Sequence, residues 1–257
     1  MLEAAINAAK AGGAVLQTQR EKLQYTEIIH KQARDFVTEI DIAAEKAILS
    51  LLADRFPTFG VLAEESEQST TDSPYCWIID PLDGTTNYIH GYQMYCVSIA
   101  LQYEQELILG VVYDPVRDEL FTAEKGKGAF LNGKPIQVTQ TAERQMSLIA
   151  TGFPFRKPQI FDHYLKVFRA LFNICSDMRR AGSAALDLVH VACGRLDGFW
   201  EFNLYPWDIA AGTLIVKEAG GIVTEMSGSP HFLHTGNIVA ANPQLHQQML
   251  DCIQHVE

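Results

Sequence analysis

The stretch WIIDPLDGTTNYIHG, residues 77–91, constrains this chain more than any other. Trp77, Ile78 and Ile79 read as the end of a strand buried on both faces. Asp80 and Asp83 follow at once, around Pro81 and Leu82. Pro81 fixes the backbone after Asp80 and donates no hydrogen bond. Gly84 lets the chain approach a ligand closely. A helical turn beginning at Gly84 would point the amides of Gly84 and Thr85 outward, toward an anion. Two acids beside an anion site are compatible when divalent cations bind carboxylates on one side and phosphate oxygens on the other. A lone DxxD, however, is more often an Asp-rich turn.

Other acids sit in similar settings. Glu64 and Glu65 end the apolar run FGVLAEES, Asp35 and Asp41 frame DFVTEID, and Asp208 follows Trp207 where YPWDIAAG turns into a helix. On a strand Glu65 would point away from Glu64, so it reads as a supporting residue. If these acids converge without a cation they repel, and each desolvated carboxylate costs several kcal/mol. Convergence therefore implies bound metal. The donors are all oxygen, with no His or Cys at metal spacing, which favours Mg²⁺ over Zn²⁺.

The remaining sequence sets limits. A chain of 257 residues, 47% hydrophobic, can bury a large core as one compact unit or two fused halves. No run of about 18 apolar residues predicts a membrane span. The N-terminus reads as an amphipathic helix, not a signal peptide. Five scattered cysteines without a CxxC pair read as reduced core thiols of a cytoplasmic protein. A net charge of −11 argues against direct nucleic-acid binding. The densest basic spot is Arg179 and Arg180, a pair read as dimer or salt-bridge residues. The histidines show no paired spacing, the tryptophans read as packing residues, and Asp187 and Asp197 as structural acids.

Helices are expected over residues 2–22, 38–56, 160–175, 184–193, 207–221 and 243–255. Strands are expected in FGVLAEE, YCWIIDP, YCVSIALQY, LILGVVYDP, ELFTAEK, SLIATG, DGFWEF, IVTEM and GNIVAAN, with LNGK as a hairpin turn. Residues 1–140 thus form an α+β half with an antiparallel sheet and most of the acids. Residues 141–257 form an α/β half that supplies Asp208, and a site is expected between the two.

The blocks AEES, WIIDPLDGTTN and YPWDIAAG…EAGG resemble the three signatures of the inositol monophosphatase family. DFVTEID and RRAGSAALDLVHVACGRLDGFWE fit the same family in order and spacing, so the resemblance covers about residues 1–255. In detail the chain resembles the bacterial inositol-1-monophosphatases of the extragenic-suppressor type. The resemblance implies a layered αβαβα sandwich of the inositol monophosphatase/fructose-1,6-bisphosphatase type, two or three Mg²⁺ per site, lithium sensitivity and a homodimer. Carried over by position, Glu64, Asp80 and the Leu82 carbonyl hold a first metal, and Asp80, Asp83 and Asp208 a second. Glu64 holds a third, weaker one. Thr85 with Asp41 orients the attacking water, and the amides of Gly84 and Thr85 bind the phosphate. Glu201, Ala184 and Ser183 contact substrate hydroxyls. Ala63 stands where the family often has glycine, and Lys31 and Asp35 receive no firm role. The implied reaction is hydrolysis of inositol monophosphate. Fructose 1,6-bisphosphate, NADP(H), histidinol phosphate and adenosine bisphosphates are the alternative substrates, and binding to the transcription machinery is an alternative, non-catalytic role.

Overall fold

A computed structural model describes residues 1–20, 28–32, 35–66 and 71–256, the side chains of 28–38 excepted, so Lys31 and Asp35 lie outside the described side chains. The chain begins with α1 (Leu2–Arg20), the antiparallel pair β1 (Ile28–Gln32) and β2 (Asp35–Thr38), and α2 (Glu39–Arg55). Next come β3 (Gly60–Ala63), β4 (Tyr75–Asp83), the short helix α3 (Thr85–His90), β5 (Cys96–Tyr103), β6 (Glu106–Asp114), β7 (Glu119–Glu124), β8 (Ala129–Leu131) and β9 (Lys134–Ile136). These seven strands form one sheet in chain order. Pairing is antiparallel from β4 to β9, as the short polar turns imply, and Asn132 and Gly133 both take positive φ in the β8–β9 hairpin. The exception is β3, which runs parallel to β4 because a longer connection returns the chain to the same end of the sheet.

The second half contains β10 (Leu148–Thr151), α4 (Phe161–Phe172), β11 (Asp177–Arg179), α5 (Ala184–Ala192), β12 (Gly198–Glu201), α6 (Pro206–Glu218), β13 (Ile222–Thr224), α7 (Phe232–Thr235), β14 (Ile238–Ala241) and α8 (Pro243–Gln254). Its sheet runs β11-β10-β12-β14-β13, parallel around β10 and antiparallel around β14. The sequence pattern missed β1, β2, β11 and α7. In β11 the cause is plain: three residues reading Asp-Met-Arg carry no apolar alternation.

Alternation along the strands builds the layers. In β4, Trp77 and Ile79 face α1 and α2 with Leu16, Ile48 and Ile99, while Ile78 faces the opposite side with Ala100 and Val112. That opposite side is covered by α5 and α6, whose Leu188 and Ile215 also meet Phe199 and Ala240 of the smaller sheet. On the far face of the smaller sheet, Trp200 packs with Tyr164 and Leu171 of α4 and Met249 of α8. The result is an αβαβα sandwich. Helix α6 is its central strut. It buries Ile209, Leu214, Ile215 and Val216, each worth roughly 1.5–3 kcal/mol. It also lies close to the large sheet: a Cβ on Gly110 of β6 would sit 2.7 Å from the Ala211 carbonyl. That close seating fixes the first turn of α6, and with it Asp208, against the end of β4.

Candidate active site

Strand β4 does not stop at the first acid. It continues through Asp83, with its register to β5 broken between Asp80 and Asp83. Pro81 causes the break because it has no N–H for the ladder. The next N–H, from Leu82, turns back and donates to Asp80 Oδ1 at 2.9 Å. Gly84 then adopts φ 99°, and a Cβ there would lie 2.7 Å from the Met94 carbonyl. The glycine is thus required by left-handed backbone and by the close approach of Met94 and Tyr95 just before β5, rather than only by ligand access. Helix α3 begins at Thr85, whose hydroxyl lies 3.1 Å from the Leu82 carbonyl and 3.4 Å from Asp41 Oδ2. Asn87, at the end of the motif, donates to Met94 O at 2.7 Å and to Ala181 O at 2.8 Å, stitching α3 to the loop before α5.

Asp83 is held from across the molecule. Its Oδ2 accepts from the Ser183 hydroxyl and from the Ala185 amide, both at 2.7 Å. Ser183 is also the N-cap of α5, accepting from Leu186 N at 3.3 Å. Ser183 was expected among the substrate contacts. It is instead buried and absent from the cavity wall, because its hydroxyl is spent on Asp83 and the helix cap. Asp208 sits at the third residue of α6 and accepts from Tyr205 N at 2.7 Å, half of a capping box. The Trp207 carbonyl beside it accepts from Ser98 of β5 at 3.3 Å.

These supports bring Asp80, Asp83 and Asp208 together, all buried, each offering an oxygen within 4.8 Å of the others. Burial, then the charges of Glu64, Asp83, Asp208 and Asp41, push the Asp80 carboxyl well above the usual range. Burial and then Asp208 push Asp83 up to about 7, against the hydrogen bonds from Ser183 and Ala185. Three crowded oxygen donors that resist ionisation are a fitting nest for a hard divalent cation, whose charge would remove both penalties. Glu64 faces the same cavity from the bend after β3. That bend is tied down by Glu45 of α2, which accepts from Glu65 N at 2.9 Å and from the Ser66 hydroxyl. Glu65 therefore lies in a bend rather than on a strand, and its backbone N–H ties that bend to α2.

The cavity holds about 250 Å³ and is lined by Glu64, Asp80, Asp83, Gly84, Thr85, Ala184, Glu201 and Asp208 from the expected set, with the Leu82 residue beneath. Asp41 lies behind Thr85, buried. Glu201, at the end of β12, is pushed up to about 8 by burial, against the pull of Arg180. Its carboxyl lies over Gly152, where any Cβ would collide with it. Two cations complete the wall, and sequence reasoning missed both roles. Arg180 lines the cavity with its guanidinium over the Phe153 ring at 5.1 Å. Its neighbour Arg179 points elsewhere and pairs with Asp177 at 2.6 Å. Arg156 lies 3.7 Å from Asp208 Oδ2. Arg179 ends β11 beside Asp177, and Arg180 is the first residue past the strand, where the chain turns toward the cavity. Asp197 is structural as expected, accepting from Thr139 at 2.7 Å and Leu148 N at 2.8 Å. Asp187 is buried beneath Glu201, and burial and Glu201 raise its carboxyl well above the usual range.

The sequence pattern of the family described as "Inositol monophosphatase family" matches residues 1–256. The chain is 46% identical over 259 residues to a Pseudomonas aeruginosa protein called Nus factor SuhB, covering 99% of this chain and 96% of that one. It is 48% identical over 250 residues to a Synechocystis protein called inositol-1-monophosphatase, covering 96% and 86%. Among solved structures, the extragenic suppressor protein SuhB from Bartonella henselae superposes with a TM-score of 0.95 at 41% identity, covering 98% of this chain and 97% of that one.

Proposed function

The chain belongs to the inositol monophosphatase family and is a phosphatase of that type, and from that premise we propose that it is a Mg²⁺-dependent hydrolase of inositol monophosphate, releasing inositol and phosphate. The observation that carries the proposal is the buried triad Asp80, Asp83 and Asp208, with oxygens within 4.8 Å of one another beside the start of α3. The role of each residue is part of the proposal. Glu64, Asp80 and the Leu82 carbonyl form one cation site, Asp80, Asp83 and Asp208 a second, and Glu64 a third, weaker one. When bound, the cations supply Lewis acidity toward water and the phosphate oxygens. Thr85 and Asp41 orient the water for in-line attack and accept its proton. The amides of Gly84 and Thr85 hold the phosphate oxygens as charge builds on them. Glu201 and Ala184 meet the leaving polyol. Ser183 acts on the substrate only through Asp83.

Phosphate release from inositol 1-phosphate, fructose 1,6-bisphosphate, histidinol phosphate and NADP, each with and without Mg²⁺ and Li⁺, tests this reading. Turnover confined to inositol 1-phosphate, dependent on Mg²⁺ and inhibited by Li⁺, is expected. Turnover that ignores divalent cations, or that favours another of these esters, overturns it. A homodimer in the cytoplasm belongs to the same proposal. Phe161, Leu165 and Phe172 are exposed at i, i+4 and i+11 along α4, an apolar stripe suited to a second copy. Sedimentation at monomer mass would exclude it. Among the described residues, no helix is long and apolar enough to cross a membrane.

The name Nus factor carried by the Pseudomonas aeruginosa relative supports a second reading, that this chain also binds the transcription machinery. An Asp80→Asn variant that retains partner capture would separate such a role from catalysis, and failure of the unmodified chain to bind would end it.

A further inference from the structure

We propose that Arg20 and Tyr88 are positioning residues: together they latch α3 to α1 and so hold the Thr85 hydroxyl against Asp41 for the attack on phosphate. The inference rests on the phosphatase reading and adds to it two residues that lie outside the cavity. The side chain of Tyr88 is fully buried, and its hydroxyl donates to the Leu16 carbonyl of α1 at 2.6 Å. The backbone N–H of the same residue donates to the Gly84 carbonyl at 2.9 Å, across the turn that begins with Thr85. Tyr88 thus joins the start of α3 to α1 through a single residue. Its ring stands edge-on to Tyr95 at 5.0 Å, which fixes its plane.

Arg20 closes the other end. Its guanidinium lies 5.7 Å from the Tyr88 ring centre, and its Nη2 fills the space that a Cβ on Gly91 would need. Gly91 is the C-cap of α3, in left-handed backbone at φ 74°, and its N–H is already shared between the Asn87 and Tyr88 carbonyls. A cation at that end opposes the partial negative charge of the helix carbonyls. Helix α1 is itself a fixed base. A Cβ on Gly13 would lie 2.6 Å from the Tyr113 ring of β6, and Gln17 donates to the Pro115 carbonyl. Helix α3, by contrast, has six residues, too few to hold its own geometry without tertiary contacts. The Thr85 hydroxyl, 3.4 Å from Asp41 Oδ2, sits at the outer edge of hydrogen-bonding range, so a small tilt of α3 separates the pair. Asp80 and Asp83 precede α3 on β4, and Glu201 and Asp208 lie on β12 and α6, so the same tilt leaves the carboxylates and the polyol contact in place.

The test measures kcat and KM for inositol 1-phosphate at saturating Mg²⁺, well below the Tm of each variant, in the unmodified chain, Tyr88→Phe, Arg20→Gln and Arg20→Lys. A misplacement of about 1 Å costs on the order of 100-fold in rate, and the smaller shift expected here about tenfold. Tyr88→Phe should therefore lower kcat about tenfold and keep KM within about twofold. Arg20→Gln should lower kcat about threefold, and Arg20→Lys, which keeps the charge at the end of α3, should recover most of that loss. Arg20 is half-buried, so its variants read the latch whether or not Tyr88→Phe folds. A Tyr88→Phe chain that loses Tm and keeps kcat is missing only a core hydrogen bond, and that result overturns the latch. A loss carried by KM, or an Arg20→Lys no better than Arg20→Gln, overturns it as well. Each of these leaves the phosphatase reading standing, because the unmodified chain still turns over. Absence of turnover by the unmodified chain overturns both.

Discussion

Ser183→Ala tests whether the site is braced across the molecule as described. The hydroxyl donates to Asp83 Oδ2 at 2.7 Å, accepts from Leu186 N at 3.3 Å and also lies 3.7 Å from the Cys96 thiol. Loss of a serine N-cap costs about 1 kcal/mol. Loss of a hydrogen bond to a charged group costs roughly 1.5–3 kcal/mol. The Ala185 amide still donates to the same oxygen at 2.7 Å, which places the second cost at its lower end. The sum is about 2.5 kcal/mol, and for a chain of this size it lowers Tm by roughly 5–10 °C. A second effect is expected on cation binding. A metal-binding carboxylate that loses its supporting donor costs about 10–100-fold in affinity. Urea denaturation with linear extrapolation measures the first effect, and calorimetric titration with Mg²⁺ the second. A loss below about 1 kcal/mol together with unchanged Mg²⁺ affinity would refute the brace, because a hydroxyl that did neither job would be an ordinary buried serine.

Asp80→Asn should abolish Mg²⁺-dependent phosphate release while the protein stays folded by circular dichroism. Substantial residual turnover would place the essential acid elsewhere. Gly152→Ala should raise KM for inositol 1-phosphate about tenfold, because the new Cβ occupies the space of the Glu201 carboxyl. An unchanged KM would show that Glu201 does not position the polyol. Burial lowers the His190 imidazole to about 4 in the folded chain, from an ordinary value of 6.5. The unfolded chain therefore binds more protons between these values, and stability is present above pH 6.5 and lost as pH falls toward 4. The unmodified chain should lose on the order of 3 kcal/mol more than His190→Asn between pH 7 and pH 4. Parallel pH profiles in denaturation would contradict this.

What the sequence made legible, and what it hid, follows from the range of the interactions involved. Trp77-Ile78-Ile79 announced a strand buried on both faces, and the structure gives Trp77 and Ile79 to one layer and Ile78 to the next. The acids were legible because each ends an apolar run, and three of them are placed within 4.8 Å of one another. Pro81 and Gly84 were read as local breakers, which they are. The partners of Gly84 were not legible, because Met94 approaches it from the loop that leads into β5. The bond from Ser183 to Asp83 was hidden for the same reason. In the sequence Ser183 is a small hydroxyl next to Ala184, with nothing to show that Asp83 lies 2.7 Å away. Arg156 and Arg180 escaped because an arginine's direction is set by rings from other elements, Tyr205 and Phe153. Glu45 escaped as one acid among several in a helix, although it anchors the bend that carries Glu64.

These long-range links have a consequence for how the site forms. Asp83 and Asn87 belong to β4 and α3, and their partners Ser183, Ala185 and Ala181 belong to the loop before α5 and its first turn. Asp208 belongs to α6, and the Trp207 carbonyl beside it accepts from Ser98 of β5. Neither sheet alone holds the triad in register. Bringing the two sheets together over α5 and α6 buries a large apolar area, and that burial offsets the cost of crowding three carboxylates. The site is therefore a place where packing energy opposes electrostatics, and a divalent cation turns the opposing term favourable. Stabilisation by Mg²⁺ should then be largest at high pH, where the raised Asp83 carboxyl is ionised in the unliganded chain, and should fade as pH drops well below 7. A Mg²⁺-induced rise in Tm that is the same at pH 5 and pH 8 would break that link between charge crowding and cation binding.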